Sequence, residues 1–95
     1  MRWMEFIKVQ TAQPNVAAKL LNFITECKKC NGLQEARVFN HASVDDCLLC
    51  LQWNTNTPEP LGSSVGLHLS NIMKKYGLVD HSVWMEKDEK EEKIS

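Results

Sequence analysis

The sequence predicts an α+β domain of the ferredoxin-like kind: a βαββαβ chain folded as a four-stranded antiparallel sheet with two helices on one face. Three observations predict it. Four short stretches read as extended, among them a strongly apolar one and an alternating one, and two longer ones are apolar at helical spacing. They follow one another as strand, helix, strand, strand, helix, strand. The breaks between them hold the glycines, prolines and asparagines that turns require.

The first strand is read over residues 3–9. Trp3, Glu5, Ile7 and Val9 share one face, and Met4, Phe6 and Lys8 share the other. Both faces carry bulky apolar groups, so both should be at least partly covered. Pro14 and Asn15 open the first helix, with Asn15 at the N-cap. Its apolar face is Ala17, Leu20, Leu21, Ile24 and Cys27, flanked by Val16, Phe23 and Cys30. Lys28 and Lys29 sit favourably at its negative end, and Gly32 supplies a left-handed stop. Residues 33–41 and 47–53 form a hairpin across a polar turn at 42–46, and the second of these strands is apolar enough to be central. Residues 54–60, with two asparagines and two prolines, form a loop. Ser63 or Ser64 caps the second helix, whose apolar face is Val65, Leu69, Ile72, Met73 and Tyr76 and which Gly77 terminates. The last strand, residues 78–87, alternates Val79, His81, Val83 and Met85 against Asp80, Ser82, Trp84 and Glu86.

Ninety-five residues allow one core, here placed in residues 1–87 as a single domain. Residues 88–95 alternate acids with lysines and hold one large apolar residue, Ile94, so they read as a charged, flexible C-terminal tail. Apolar residues at 43% and charged residues at 24% exclude general disorder. A formal net charge of -1 argues against a nucleic-acid partner. No run of 18 apolar residues exists, so no membrane span is expected. The start, Met1-Arg2-Trp3-Met4-Glu5, lacks the apolar stretch of a signal peptide, and the four cysteines then point to reduced thiols in the cytoplasm.

The sheet face away from the helices still bears large apolar groups. A chain this small should not leave such a face in water, and a two-fold homodimer through the sheet faces covers it. The run Gly32-Leu33-Gln34-Glu35-Ala36-Arg37-Val38-Phe39, the Asp45-Asp46 turn and Leu48-Leu49-Cys50-Leu51-Gln52-Trp53 resemble the middle of the antibiotic-biosynthesis-monooxygenase-like family. The resemblance extends to the strand containing Val83 and Trp84. It implies the dimeric α/β-barrel assembly. It does not imply one reaction, because the family includes cofactor-independent monooxygenases and haem-degrading enzymes.

Cys27, Cys30, Cys47 and Cys50 form C-x2-C-x16-C-x2-C, a spacing that by itself fits structural zinc. Their placement argues otherwise. Residues three apart in a strand point to opposite faces, which separates Cys47 from Cys50. The topology also places Cys47 roughly 20 Å from the end of the first helix, at about 3.3 Å per residue. The four cysteines are read as small buried hydrophobes, with zinc as the alternative. A redox role is opposed by the helix C-terminus, whose dipole disfavours a thiolate at Cys27 or Cys30.

No cofactor is expected. The haem-degrading relatives use a strand-one Asn, which residues 3–9 lack, and a shorter loop before the second helix. A cofactor-independent oxygenase needs an apolar pocket and a base that ionises a phenol. His68, at helical spacing from Val65 and Ile72, is the candidate base, with His81 as the other histidine that could serve. Trp53, His81 and Trp84 are the candidate pocket for a small aromatic ligand. The competing reading is a non-catalytic ligand-binding or structural dimer in which both tryptophans fill core space.

Overall fold

The first strand sets the plan of the molecule. The computed structural model describes residues 1–27 and 30–87. In it β1 (Arg2–Gln10) is followed by α1 (Val16–Cys27), β2 (Leu33–Asn40), β3 (Cys47–Asn54), α2 (Ser64–Met73) and β4 (Leu78–Met85). The sheet runs β2-β3-β1-β4 with every neighbouring pair antiparallel. This is the expected βαββαβ ferredoxin-like arrangement. Lys28 and Lys29, expected in the last turn of α1, and the expected tail at 88–95 lie outside the described residues.

Register assigns the two faces. Trp3 pairs with Trp53, Ile7 with Leu49 and Val9 with Cys47, and all six are buried. Val16, Leu20, Ile24 and Cys27 of α1 and Leu69 and Met73 of α2 close over them in one core. Both helices therefore lie on this face, α1 against β2 and β3, α2 against β1 and β4. Each fully buried Leu or Ile here contributes about 1.5–3 kcal/mol. The opposite face is a grid read across the sheet. Glu35, Gln52, Met4 and Trp84 form one row; Arg37, Cys50, Phe6 and Ser82 the next; Phe39, Leu48, Lys8 and Asp80 the third.

Several local expectations change. Leu21 is 51% exposed, because the stripe of α1 that meets the sheet passes through Val16, Leu20, Ile24 and Cys27. Asn15 stands directly before α1 with φ 68°, a left-handed conformation rather than the extended one of an N-cap, and its carbonyl accepts from the Lys19 N–H. Gly32 takes φ 87°, but α1 has ended at Cys27, and the glycine serves the turn into β2, where Leu33 N–H donates to the Cys30 carbonyl and the Gly32 carbonyl accepts from Asn54 N–H. Gly77 likewise lies beyond its helix: α2 has ended at Met73, and a Cβ at Gly77 would stand 2.0 Å from the Gln10 carbonyl oxygen. Its lack of a side chain lets the return to β4 pass close to the end of β1.

Candidate functional site

Glu5 is the residue that the surrounding sequence hides. It sits in mid-β1 on the helix-facing side, between Trp3 and Ile7, and none of it is exposed. A buried carboxylate costs several kcal/mol unless its lone pairs are satisfied. Here each oxygen has two partners. Trp53 Nε1–H donates to Oε1 over 3.1 Å, and Ser63 Oγ–H donates to the same oxygen over 2.6 Å. Ser63 N–H donates to Oε2 over 3.1 Å, and His81 Nε2 lies 2.5 Å from that oxygen.

Four elements bring these groups together. Glu5 pairs with Leu51 on one side and Val83 on the other, so Trp53 and His81 are its diagonal neighbours on the same face, within reach of long side chains. Ser63 is the N-cap of α2, extended at φ -68° and ψ 161°, and its Oγ accepts from the Gly66 N–H over 3.0 Å. The carboxylate thus lies against the positive end of α2. Two glycines leave it room. A Cβ at Gly66 would stand 1.8 Å from Glu5 Oε2, and one at Gly62, where φ is 107°, would stand 2.2 Å from His81 Cε1.

The chemistry follows from this wiring. Glu5 holds His81 by one ring nitrogen, which is how a carboxylate fixes an imidazole for proton transfer. The His81 side chain keeps 15% of its surface exposed, whereas Glu5 has none. A serine, a histidine and a carboxylate also make up hydrolytic triads, but the order here is different. The Ser63 hydroxyl donates its hydrogen bond to Glu5 rather than to the imidazole and accepts one that caps α2, so its oxygen is not poised as a nucleophile.

Of the residues singled out from sequence, Trp53 and His81 belong to this cluster. Trp53 is 4% exposed and stacks on Trp3 with centroids 5.5 Å apart and planes 15° from parallel. His68 is exposed on α2 and takes no part in the Glu5 hydrogen bonds, so Glu5, not His68, is the titratable group in contact with Trp53. Trp84 is 63% exposed on the opposite sheet face, where its indole N–H donates to Ser82 Oγ over 2.9 Å. Trp53 and Trp84 therefore cannot flank one ligand within a protomer. Trp84 instead lines a shallow hollow of about 320 Å³ with Met4, Phe6, Gln52 and Met85.

The four cysteines are similarly divided. Cys27 and Cys47 are buried in the helix-side core and Cys30 is half-buried against it, whereas Cys50 is half-buried opposite Phe6 on the outer face, so two of the four are not the buried hydrophobes expected. Among the described residues no three His, Cys, Asp or Glu side chains are grouped to hold a metal. Burial pushes the Cys47 thiol above its ordinary value, with help from Asp46. Burial also raises Cys50, reinforced by Glu35 and opposed by Arg37.

Glu5 and Ser63 were not among the residues expected at the site. A signal for Glu5 was present: a carboxylate in the apolar period-two face of a strand whose two faces are both apolar. For Ser63 the helix cap was legible, but its second bond was not, because it depends on where β1 passes under α2.

No protein-family model matches the sequence, and no curated protein matches it. Among solved structures, the chain resembles that of Rv0793 from Mycobacterium tuberculosis with a TM-score of 0.70 and 16% identity, covering 93% of this chain and 97% of that one. It also resembles a formyltetrahydrofolate deformylase from Pseudomonas putida KT2440, with a TM-score of 0.51 and 9% identity. That match covers 90% of this chain but 29% of the deformylase. At these identities the likeness shows the fold alone. Among the described residues no helix is long and apolar enough to cross a membrane.

Proposed function

We propose that the chain is a dimeric α/β barrel of the antibiotic-biosynthesis-monooxygenase-like kind that oxidises a small aromatic compound without a cofactor, with His81 as the base. The observation that carries this reading is the Glu5–His81 pair: a fully buried carboxylate with both oxygens satisfied, holding a histidine whose side chain is still partly exposed. Such a base takes the proton of a phenolic hydroxyl. The phenolate then supplies the electrons that reduce oxygen. One oxygen atom enters the ring at a C–H position and the other leaves as water, so a phenol becomes a quinone and the balance closes. The likeness to Rv0793 supports only the protomer fold that such a barrel is built from, and the partly apolar outer face, with Phe39 and Trp84 exposed, supports a second copy as its cover.

Oxygen uptake with phenols and quinols tests the proposal. The wild-type protein and His68→Ala should consume oxygen, and His81→Ala should lose at least about 100-fold, the lower range for a general base. Uptake that survives in His81→Ala would refute the assigned base. The second reading, a dimer without chemistry, is favoured by one observation: Trp3 and Trp53 are stacked and almost fully buried, and fill the space beside the pair. It predicts no turnover in any of the three proteins.

A further inference from the structure

We propose that Ser63 is a positioning residue: through Glu5 it sets the orientation of His81. This rests on the reading of His81 as the base, but its structural half can be tested without turnover. Ser63 contacts both oxygens of Glu5, Oε1 through its hydroxyl at 2.6 Å and Oε2 through its backbone N–H at 3.1 Å. The carboxylate is thus fixed against rotation about its last torsion. With that torsion fixed, Oε2 has one place to meet His81 Nε2. The adjoining backbone closes the ring on another edge, since a Cβ at Gly62 would stand 2.2 Å from His81 Cε1.

The same hydroxyl caps α2 by accepting from Gly66 N–H. One oxygen atom therefore joins the start of a helix to the group that holds the imidazole. A shift of the first turn of α2 must move Glu5, and with it His81. A residue that only capped the helix would carry no such link.

Three variants separate positioning from capping. Ser63→Ala removes the cap and the bond to Glu5. Ser63→Gly removes the hydroxyl but keeps a backbone well suited to the N-cap. Ser63→Thr keeps both functions. The measurement is the side-chain ¹H–¹⁵N NMR spectrum of His81, with backbone amides of β2 as the internal standard. The His81 signals should move in the Ala and Gly variants and return to wild-type positions in the Thr variant, while the β2 amides stay fixed. Where the enzyme turns over, kcat should fall on the order of tenfold in the Gly variant at nearly constant KM, because orientation is lost and not binding. Superimposable His81 signals in the folded Gly variant overturn the proposal. If no turnover is found in the wild-type protein, the function reading fails, and the NMR result still decides the role of Ser63.

Discussion

Glu5 is a carboxylate in a layer that otherwise holds indoles and aliphatic chains, and it persists there because four donors or ring nitrogens converge on it. Removing one of these partners leaves a buried oxygen short of a hydrogen bond, at a cost of about 1–3 kcal/mol. Cys47 and Cys50 respond to burial by holding their protons more tightly. For both Cys47 and Cys50 burial is the main cause of a thiol pKa above the ordinary 9.0. The folded chain therefore binds the thiol proton more tightly than the unfolded chain does. That contribution to stability is complete below the unfolded value and is lost as pH rises through the raised folded one. Cys50, half-buried, should accordingly react slowly with iodoacetamide at neutral pH and accelerate only above 9.0. Mass spectrometry of the native protein against a denatured control checks this. Rapid labelling of native Cys50 at neutral pH would show a stabilised thiolate and contradict it. The sequence pattern had already pointed away from a redox pair at Cys27 and Cys30, from the helix end on which they fall.

Elements were legible where period and punctuation agreed. β3 is strongly apolar and proved central, flanked by β2 and β1. The cap of α2 was narrowed to two serines, and the structure selects Ser63. The misread details share a cause: they depend on what packs across the element. Leu21 fits the helical stripe of α1 but falls just off the line that meets the sheet. Gly66 looks like a weak point in α2, since Gly costs about 1 kcal/mol relative to Ala in a helix. On propensity alone Gly66→Ala should stabilise the protein. The site reverses the sign, because the added Cβ would lie 1.8 Å from Glu5 Oε2, with Glu5 pinned by its partners. We expect a net loss of about 1–3 kcal/mol, the usual range for overpacking. Urea unfolding measures it, and an unchanged or raised midpoint would mean that the carboxylate is not seated against the first turn of α2.

At the scale of the whole molecule, β1 serves two layers. Its odd positions build the core and the site, and its even positions Met4 and Phe6 stand in the outer grid beside Leu48, Phe39 and Trp84. Phe39 is 47% and Trp84 63% exposed in the single chain. A second copy docked face to face would cover them, so sedimentation at micromolar concentration should give a dimer, with an interface of about 2,000 Å² or more in total. A stable monomer would contradict the barrel assembly while leaving the protomer fold intact. The fold was readable because it follows from the order of elements. The site was readable only in part, since Glu5, Ser63 and His81 come from three separate stretches that meet only after the sheet pairs and α2 crosses it. The central claim concerns His81, and the most direct measurement is the absorption spectrum of a bound chromogenic phenol such as 4-nitrophenol. The solution is held below the pH at which the free phenol ionises. The wild-type protein should show the phenolate band on binding, Glu5→Gln a weaker one, and His81→Ala none. An equal phenolate band in His81→Ala, or none in the wild-type protein with the ligand bound, would contradict the account.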